Sequence, residues 1–152
     1  MRVSEEAEAR RFGATHFVNA TEGDPLAGVR EITGCGAGFT FEATGRTEIA
    51  EQAYKATPRA GTTILIGQPT GESAVARFPP YWIAQDEQRI IGSSYGSMQP
   101  MIDYRKLLCL VAHSLLNLEA LVLAVWPFER IKEAIATVET GTVNRLVLNI
   151  TA

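Results

Sequence analysis

The chain has 152 residues, of which 46% are hydrophobic and 20% are charged, and its formal net charge is −3. This composition is too apolar for a disordered protein, and its slightly acidic balance gives no electrostatic reason to expect binding to nucleic acid or to an anionic membrane surface. No apolar run reaches the roughly 18 residues that a membrane-spanning helix needs, and the length predicts a single domain over residues 1–152.

Apolar periodicity and turn residues divide the chain into alternating helical and extended segments. Asp24 and Pro25 are typical of a helix N-terminus, and Gly34 is typical of the end of the same helix. Helices are predicted over residues 4–12, 24–33, 46–57, 101–113 and 127–140, with one helical turn at 81–85. Strands are predicted over residues 16–19, 38–43, 62–66, 73–78, 88–93, 121–126 and 145–150. The alternation indicates an α/β fold with a mostly parallel sheet.

Three of the predicted strands end in glycine beside small or polar residues, within the segments 39–45, 61–69 and 89–96. Ligands of open parallel sheets bind at the carboxyl ends of the strands. The pattern therefore predicts a ligand site at this edge, and ordinary turn glycines are the alternative interpretation.

The two cysteines, Cys35 and Cys109, lie far apart in the sequence. With His16 and His113 they match no common spacing of zinc ligands, so we expect no metal site in this chain. We also expect no disulfide framework, which favours a reduced, cytoplasmic setting.

The order and residue content of these segments resemble the coenzyme-binding domain of the zinc-dependent, medium-chain alcohol dehydrogenases. The matching pieces extend over almost the whole chain and include residues 12–16 (FGATH), 41–45 (FEATG), 61–67 (GTTILIG), 92–96 (GSSYG) and 126–131 (WPFERI). The resemblance implies a partial Rossmann-type, doubly wound sheet with flanking helices. It also implies NAD(H) or NADP(H) as cofactor and hydride transfer between an alcohol or aldehyde and the nicotinamide. Zinc belongs to the parent family, but the resemblance places none of its ligands here.

Carried over position by position, the resemblance implies nine cofactor-binding residues and no catalytic residue in this chain. The nine are Thr44, Gly45, Ile66, Gly67, Gln68, Ser93, Ser94, Tyr95 and Arg145. The first two would border the coenzyme ribose, and the next three would flank the nicotinamide and its ribose. The segment 93–95 would present backbone groups to the carboxamide, and the arginine would approach the pyrophosphate. A surface arginine is the alternative interpretation of the last position.

The resemblance also indicates what this chain lacks. The Gly-x-Gly-x-x-Gly turn, the first two strands of the doubly wound order 3-2-1-4-5-6 and the acid that binds the adenosine ribose are not found in it. We therefore expect the chain alone to be inactive and to bind NADH no more tightly than millimolar. The strand at 38–43 should have an open edge, with Phe39 and Phe41 facing water or a new partner.

Two other functions stay open. The chain can be a non-catalytic domain that acts through oligomerisation or partner binding, or a piece of a zinc-free, quinone reductase-like enzyme. For the first, the extended run from Leu121 to Val125 is the candidate edge of a homodimer, and an internal strand is its alternative interpretation. The substrate and the choice between NAD and NADP cannot be read from these residues.

Overall fold

The structure, a computed structural model, describes residues 3–71, 74–122, 124–140 and 145–150. They form two compact units, one ending at Ser97 and the other beginning at Met98. The single domain over residues 1–152 stays a prediction.

The first unit contains the parallel α/β arrangement that the sequence predicts. Its elements are α1 (Val3–Arg11), α2 (Pro25–Thr33), β1 (Phe39–Glu42), α3 (Thr47–Ala56), β2 (Thr62–Leu65), α4 (Pro80–Gln85) and β3 (Arg89–Gly92), followed by a 3-10 turn at Tyr95–Ser97. The strands form one parallel sheet in the order β1-β2-β3. Helices connect successive strands, as parallel pairing requires.

One face of this sheet is covered by α3, and the core of the unit lies between them. Tyr54 and Ala50 of α3 are buried, and Thr63 of β2 is fully buried. The hydroxyl of Thr63 is hydrogen-bonded to that of Thr57 at 2.8 Å, and Thr57 to that of Thr40 at 2.7 Å. Three threonines therefore satisfy one another inside the core, as buried polar groups must.

The ends of α2 follow the predicted signals. The Asp24 carboxylate accepts a hydrogen bond from the backbone N–H of Leu26 at 2.9 Å, which caps the helix. Gly34 ends it with φ +79°, a conformation that favours glycine.

The second unit contains α5 (Pro100–Ala112), a 3-10 turn at Glu119–Leu121, β4 (Ala124–Pro127), a 3-10 turn at Phe128–Arg130, α6 (Ile131–Glu139) and β5 (Leu146–Asn149). β4 and β5 pair in parallel, and the buried Ala134 lies on α6. No helix among the residues described in either unit has the length and apolarity to cross a membrane.

Two predicted strands of the first unit are wrong. Residues 16–19 form no strand, and the Val18 side chain packs closely against Gly28 of α2. Residues 74–78 form none either, and the backbone N–H of Arg77 donates to the carboxylate of Glu51 at 2.9 Å. In both places the backbone has no neighbouring strand among the described residues with which to form a ladder. The first residue of the predicted strand 73–78, Ser73, lies outside the described residues.

In the second unit the run 121–126 is only partly extended. Leu121 ends a 3-10 turn, in which the Asn117 side chain accepts the N–H of Ala120 at 3.0 Å, and the strand begins at Ala124. The proposed dimer edge from Leu121 to Val125 is therefore not one continuous strand, and Leu123 lies outside the described residues. The predicted helix 127–140 begins as the 3-10 turn Phe128–Arg130 before α6.

The open edge of β1 is confirmed. Only β2 pairs with β1 among the described residues, and the side chains of Phe39 and Phe41 are 69% and 64% exposed. An exposed strand edge with apolar side chains is a site at which other chains can pair.

Candidate functional site

The carboxyl ends of β1, β2 and β3 lie side by side at one edge of the sheet. In the register of the sheet, Glu42 is paired with Leu65, and Leu65 with Gly92. The turns that follow these three residues carry eight of the nine predicted site residues, at 44–45, 66–68 and 93–95. The structure therefore places these eight along one edge, where open parallel sheets bind ligands.

The first turn is organised by Glu42, the last residue of β1. Its side chain is buried, and its Oε1 accepts hydrogen bonds from the Thr44 N–H at 2.6 Å, the Thr44 hydroxyl at 2.6 Å and the Gly45 N–H at 2.9 Å. Burial opposes ionisation of this carboxyl, but the hydrogen bonds from Thr44, Gly45 and Arg46 outweigh burial and lower its pKa below the ordinary value. Glu42 is therefore a buried carboxylate held in its charged form by the turn that it shapes.

The first and second turns touch through their glycines. A side chain at Gly67 would collide with the backbone nitrogen of Gly45 and would lie 2.7 Å from the Oε2 of Glu42. A side chain at Gly45, which has φ +73°, would collide with the carbonyl oxygen of Gln68. Glycine is required at both positions by the close approach of the two turns.

Backbone hydrogen bonds decide which groups at this edge remain available. The N–H groups of Ile66 and Gly67 donate to the carbonyl of Glu42 at 2.8 and 3.0 Å, and the N–H of Ser93 donates to that of Leu65 at 2.9 Å. The N–H groups of Gln68, Ser94 and Tyr95 make no hydrogen bond with other described residues. These three donors, on neighbouring turns, are the groups that a ligand can engage.

The third turn has an unusual backbone. Tyr95 and Ser97 have φ of +48° and +52°, and Gly96 between them has φ +71°. The N–H of Ser97 donates to the carbonyl of Ser94 at 2.8 Å, while the Tyr95 side chain is 91% exposed. Left-handed non-glycine residues are uncommon and concentrate at functional sites, so this turn has the character of a ligand-binding segment.

A small cavity lies beside the first two turns, and the ninth predicted residue belongs to the second unit. A cavity of about 190 Å³ beside Gly45 and Gly67 is smaller than the usual pocket for a small molecule. Arg145 is exposed and lies in the second unit, immediately before β5. Among the described residues, no three His, Cys, Asp or Glu side chains come together as a metal site.

Sequence reasoning gave Glu42 no role, although it lies within a matching segment. The signal was present in the sequence: a carboxylate at the end of a strand, followed two and three residues later by Thr44 and Gly45. Such short-range pairing of a carboxylate with following N–H groups is common in turns.

The comparisons with known proteins identify the family. The sequence profile described as zinc-binding dehydrogenase matches residues 1–113, and the chain belongs to this family. The resemblance on which the sequence interpretation relied is therefore confirmed.

Individual relatives agree with this assignment. Alcohol dehydrogenase-like 2 of Arabidopsis thaliana is 30% identical over 91% of this chain and 36% of its own length. The solved benzyl alcohol dehydrogenase of Acinetobacter calcoaceticus superposes with a TM-score of 0.92 at 26% identity, over 99% of this chain and 41% of that protein. A zinc-binding dehydrogenase of Sinorhizobium meliloti, solved bound to NADP, has a TM-score of 0.79, and its 20% identity shows the fold alone, over 89% of this chain and 39% of that one.

These matches define the architecture and its extent. The Rossmann-type α/β fold predicted from the sequence is confirmed by the solved relatives. The chain spans less than half the length of the relatives it matches.

Proposed function

We propose that this chain supplies the nicotinamide side of the coenzyme site in an NAD(P)-dependent, alcohol dehydrogenase-like oxidoreductase. The reaction of the whole enzyme is hydride transfer between an alcohol or aldehyde and the nicotinamide, which is the chemistry the bound coenzyme supplies. One observation carries the proposal: the available N–H groups of Gln68, Ser94 and Tyr95 lie on adjacent turns at the carboxyl edge of a parallel sheet.

Each of the three turns is assigned the portion of the coenzyme that its groups can bind. A carboxamide needs one N–H donor and one carbonyl acceptor, and the segment 93–95 offers backbone groups of both kinds. Thr44 and Gly45 would border the ribose, and Ile66, Gly67 and Gln68 would flank the nicotinamide and its ribose. Since these groups are fixed by Glu42 and by the sheet, they orient a bound ring without reorganisation.

The remaining parts of the proposal concern the phosphates, the metal and the setting. Arg145 would approach the pyrophosphate, because a guanidinium offers a planar pair of donors to phosphate oxygens. As the family resemblance implies, we assign this chain no zinc ligand. The exposed, unpaired Cys35 and Cys109 support a cytoplasmic setting.

Binding by the chain alone should be weak, because a cavity of about 190 Å³ encloses little of a dinucleotide. The test is a residue-resolved NMR titration of the full chain with NADH, carried to millimolar concentrations. We expect amide shifts at Gly45, Gly67, Gln68 and Ser94, with no saturation below millimolar. Absence of shifts at these amides at the highest concentration would contradict the proposal, and saturation at micromolar NADH would contradict the expected weakness.

A matched pair of variants separates backbone recognition from side-chain recognition. Ser94→Pro removes the available N–H, whereas Ser94→Ala keeps it and removes only the hydroxyl. The proline variant should lose the NADH-induced shifts at Gly67 and Gln68, and the alanine variant should retain them. The spectrum of each free variant establishes that it is folded before the titration is interpreted.

A partner-binding module is the second candidate, favoured by the open edge of β1. Exposed Phe39 and Phe41 beside unpaired backbone groups suit the addition of a strand from another chain. A defined oligomer without any shift at the carboxyl edge on adding NADH would favour this function over the first.

A further inference from the structure

A second candidate site lies at the opposite edge of the same sheet. The segment 57–59 leads into β2, and Asp86 and Gln88 lead into β3, so that they mark the amino ends of these strands. A cleft of about 360 Å³ opens there, which is within the range of small-molecule pockets. Its lining consists of Arg30, Cys35, Tyr54, Lys55, Thr57, Pro58, Arg59, Arg77, Pro79, Trp82, Asp86 and Gln88.

The charge of this cleft is opposite to that of the whole chain. Four cationic side chains and a single carboxylate, that of Asp86, line it, although the net charge of the protein is −3. Concentration of one sign of charge in a concave site focuses the electrostatic potential and attracts counter-ions.

The four cations have no ion-pair partner among the described residues, a property that they share with Arg105 of the second unit. Arg10, Arg46 and Arg130 each form an ion pair with a nearby glutamate. Within the described residues, the side chains of Arg30, Lys55, Arg59 and Arg77 form no ion pair and no hydrogen bond, although the backbone N–H of Arg77 donates to the Glu51 carboxylate. Four cations around one cleft repel one another in the absence of an anion. Binding of an anion would reduce this repulsion, so the arrangement favours an anionic ligand.

The wall of the cleft contains a polar group whose hydrogen bonding is incomplete. The side-chain Nε2 of Gln88 donates to the carbonyl of Thr57 at 2.7 Å, which fixes the orientation of the amide. Its Oε1 is buried and has no hydrogen-bond partner among the described residues. A buried acceptor left unpaired costs free energy.

We propose that this cleft binds a small phosphate-bearing anion. Guanidinium groups recognise phosphate oxygens with paired donors, and three of the four cations are arginines. The half-exposed indole of Trp82 provides an apolar wall for the organic part of such a ligand. The site is independent of the coenzyme proposal, because it lies at the amino edge of the sheet.

The test is a titration of the full chain with inorganic pyrophosphate at constant ionic strength, followed by amide NMR and by calorimetry. We expect saturable binding with shifts at Arg59, Ala60 and Gln88 and with no shift at Gly45 or Gly67. Ligand binding to the folded state should also raise the melting temperature. Absence of saturation, or shifts spread over all basic residues, would overturn the proposal.

Two variants and one control separate a built site from general attraction of anions. Arg59→Gln and Arg30→Gln each remove one cation from the rim and should weaken binding by at least about fivefold. Arg105→Gln removes an exposed positive charge of the second unit that forms no ion pair among the described residues, and it should change affinity less than about twofold. Equal losses for Arg59→Gln and Arg105→Gln would overturn the proposal, because they would show that only net charge matters.

Discussion

The backbone N–H of Gly45 donates a hydrogen bond of 2.9 Å to the side-chain carboxylate of Glu42, three residues earlier in the chain. The carbonyl of the same glutamate accepts the N–H groups of Ile66 and Gly67. One residue thus fixes the turn after β1 through its side chain and the turn after β2 through its backbone. The geometry of the candidate coenzyme edge therefore depends on Glu42.

The first prediction concerns the loss of folding stability at acidic pH through protonation of Glu42. Because the folded-state pKa of Glu42 lies below its ordinary value of 4.5, ionisation favours the folded chain. This stabilisation is fully present above the ordinary pKa and is lost as the pH falls through the lowered one. Glu42→Gln places an amide donor among backbone donors and should lower the free energy of unfolding at neutral pH by about 1–3 kcal/mol. Urea unfolding of the parent chain and of Glu42→Gln, from neutral pH down to about pH 3, measures the loss of stability in acid and the loss caused by the substitution.

The control for this prediction is Glu31→Gln. Glu31 is exposed and its side chain forms no hydrogen bond or ion pair with other described residues, so the variant should match the parent chain across the pH range. The difference in stability between the parent and Glu42→Gln should shrink in acid. A difference that stays constant with pH would show that the charge of Glu42 has no part in holding the turn.

The sequence predicted the sheet of the first unit because its strands have strong local signals. The segments before Glu42, Leu65 and Gly92 are rich in aromatic and β-branched residues and end in glycine-containing turns. The same turns, together with the family resemblance, placed eight of the nine site residues at one edge. Periodicity and turn residues are local properties, so they can be read from a single chain.

The failures occur where the structure depends on partners distant in sequence. The run 16–19 has strand-like residues but no neighbouring strand among the described residues, and Val18 packs on α2. The cations around Arg59 were missed for the same reason, since a cleft assembles residues that no spacing rule connects. The role of Glu42 is an exception, because its partners Thr44 and Gly45 lie only two and three residues later in the chain. A strand or a pocket needs neighbours that sequence pattern alone does not supply.

The second prediction concerns the buried threonines. The Thr57 hydroxyl donates its proton to the carbonyl of Ala53 at 2.9 Å and therefore accepts hydrogen bonds from the hydroxyls of Thr40 and Thr63. Thr57→Val leaves the fully buried hydroxyl of Thr63 with a poorer partner, so we expect a loss of about 1–3 kcal/mol in the free energy of unfolding. Thr70→Val, at an exposed position, should stay within about 0.5 kcal/mol of the parent. Similar urea midpoints for the two variants would contradict the network.

The third prediction concerns the open edge of β1. At high protein concentration the chain should self-associate at this edge, because a strand added beside β1 would pair with its open backbone and place its own side chains against the exposed rings of Phe39 and Phe41. Phe41→Lys should weaken this association at least about tenfold, the effect of losing more than about 1.4 kcal/mol of apolar burial. Sedimentation or light scattering over a series of protein concentrations measures the strength of self-association. Val75→Lys, which changes an exposed apolar residue outside the strands, is the control, and equal weakening by both variants would contradict an edge-specific contact.

The fourth prediction tests the contact between the first two turns. A methyl group at Gly67 would collide with the backbone of Gly45 and crowd the Glu42 carboxylate, so Gly67→Ala must move one turn away from the other. We expect a loss of about 1–3 kcal/mol in the free energy of unfolding and shifts of the Gly45 and Thr44 amides in the free protein. Gly38→Ala, before the amino end of β1, meets nothing within 4 Å and should leave stability within about 0.5 kcal/mol and these amides unchanged. If Gly67→Ala were as stable as Gly38→Ala, the two turns would not be in the close contact on which the orientation of the coenzyme edge depends.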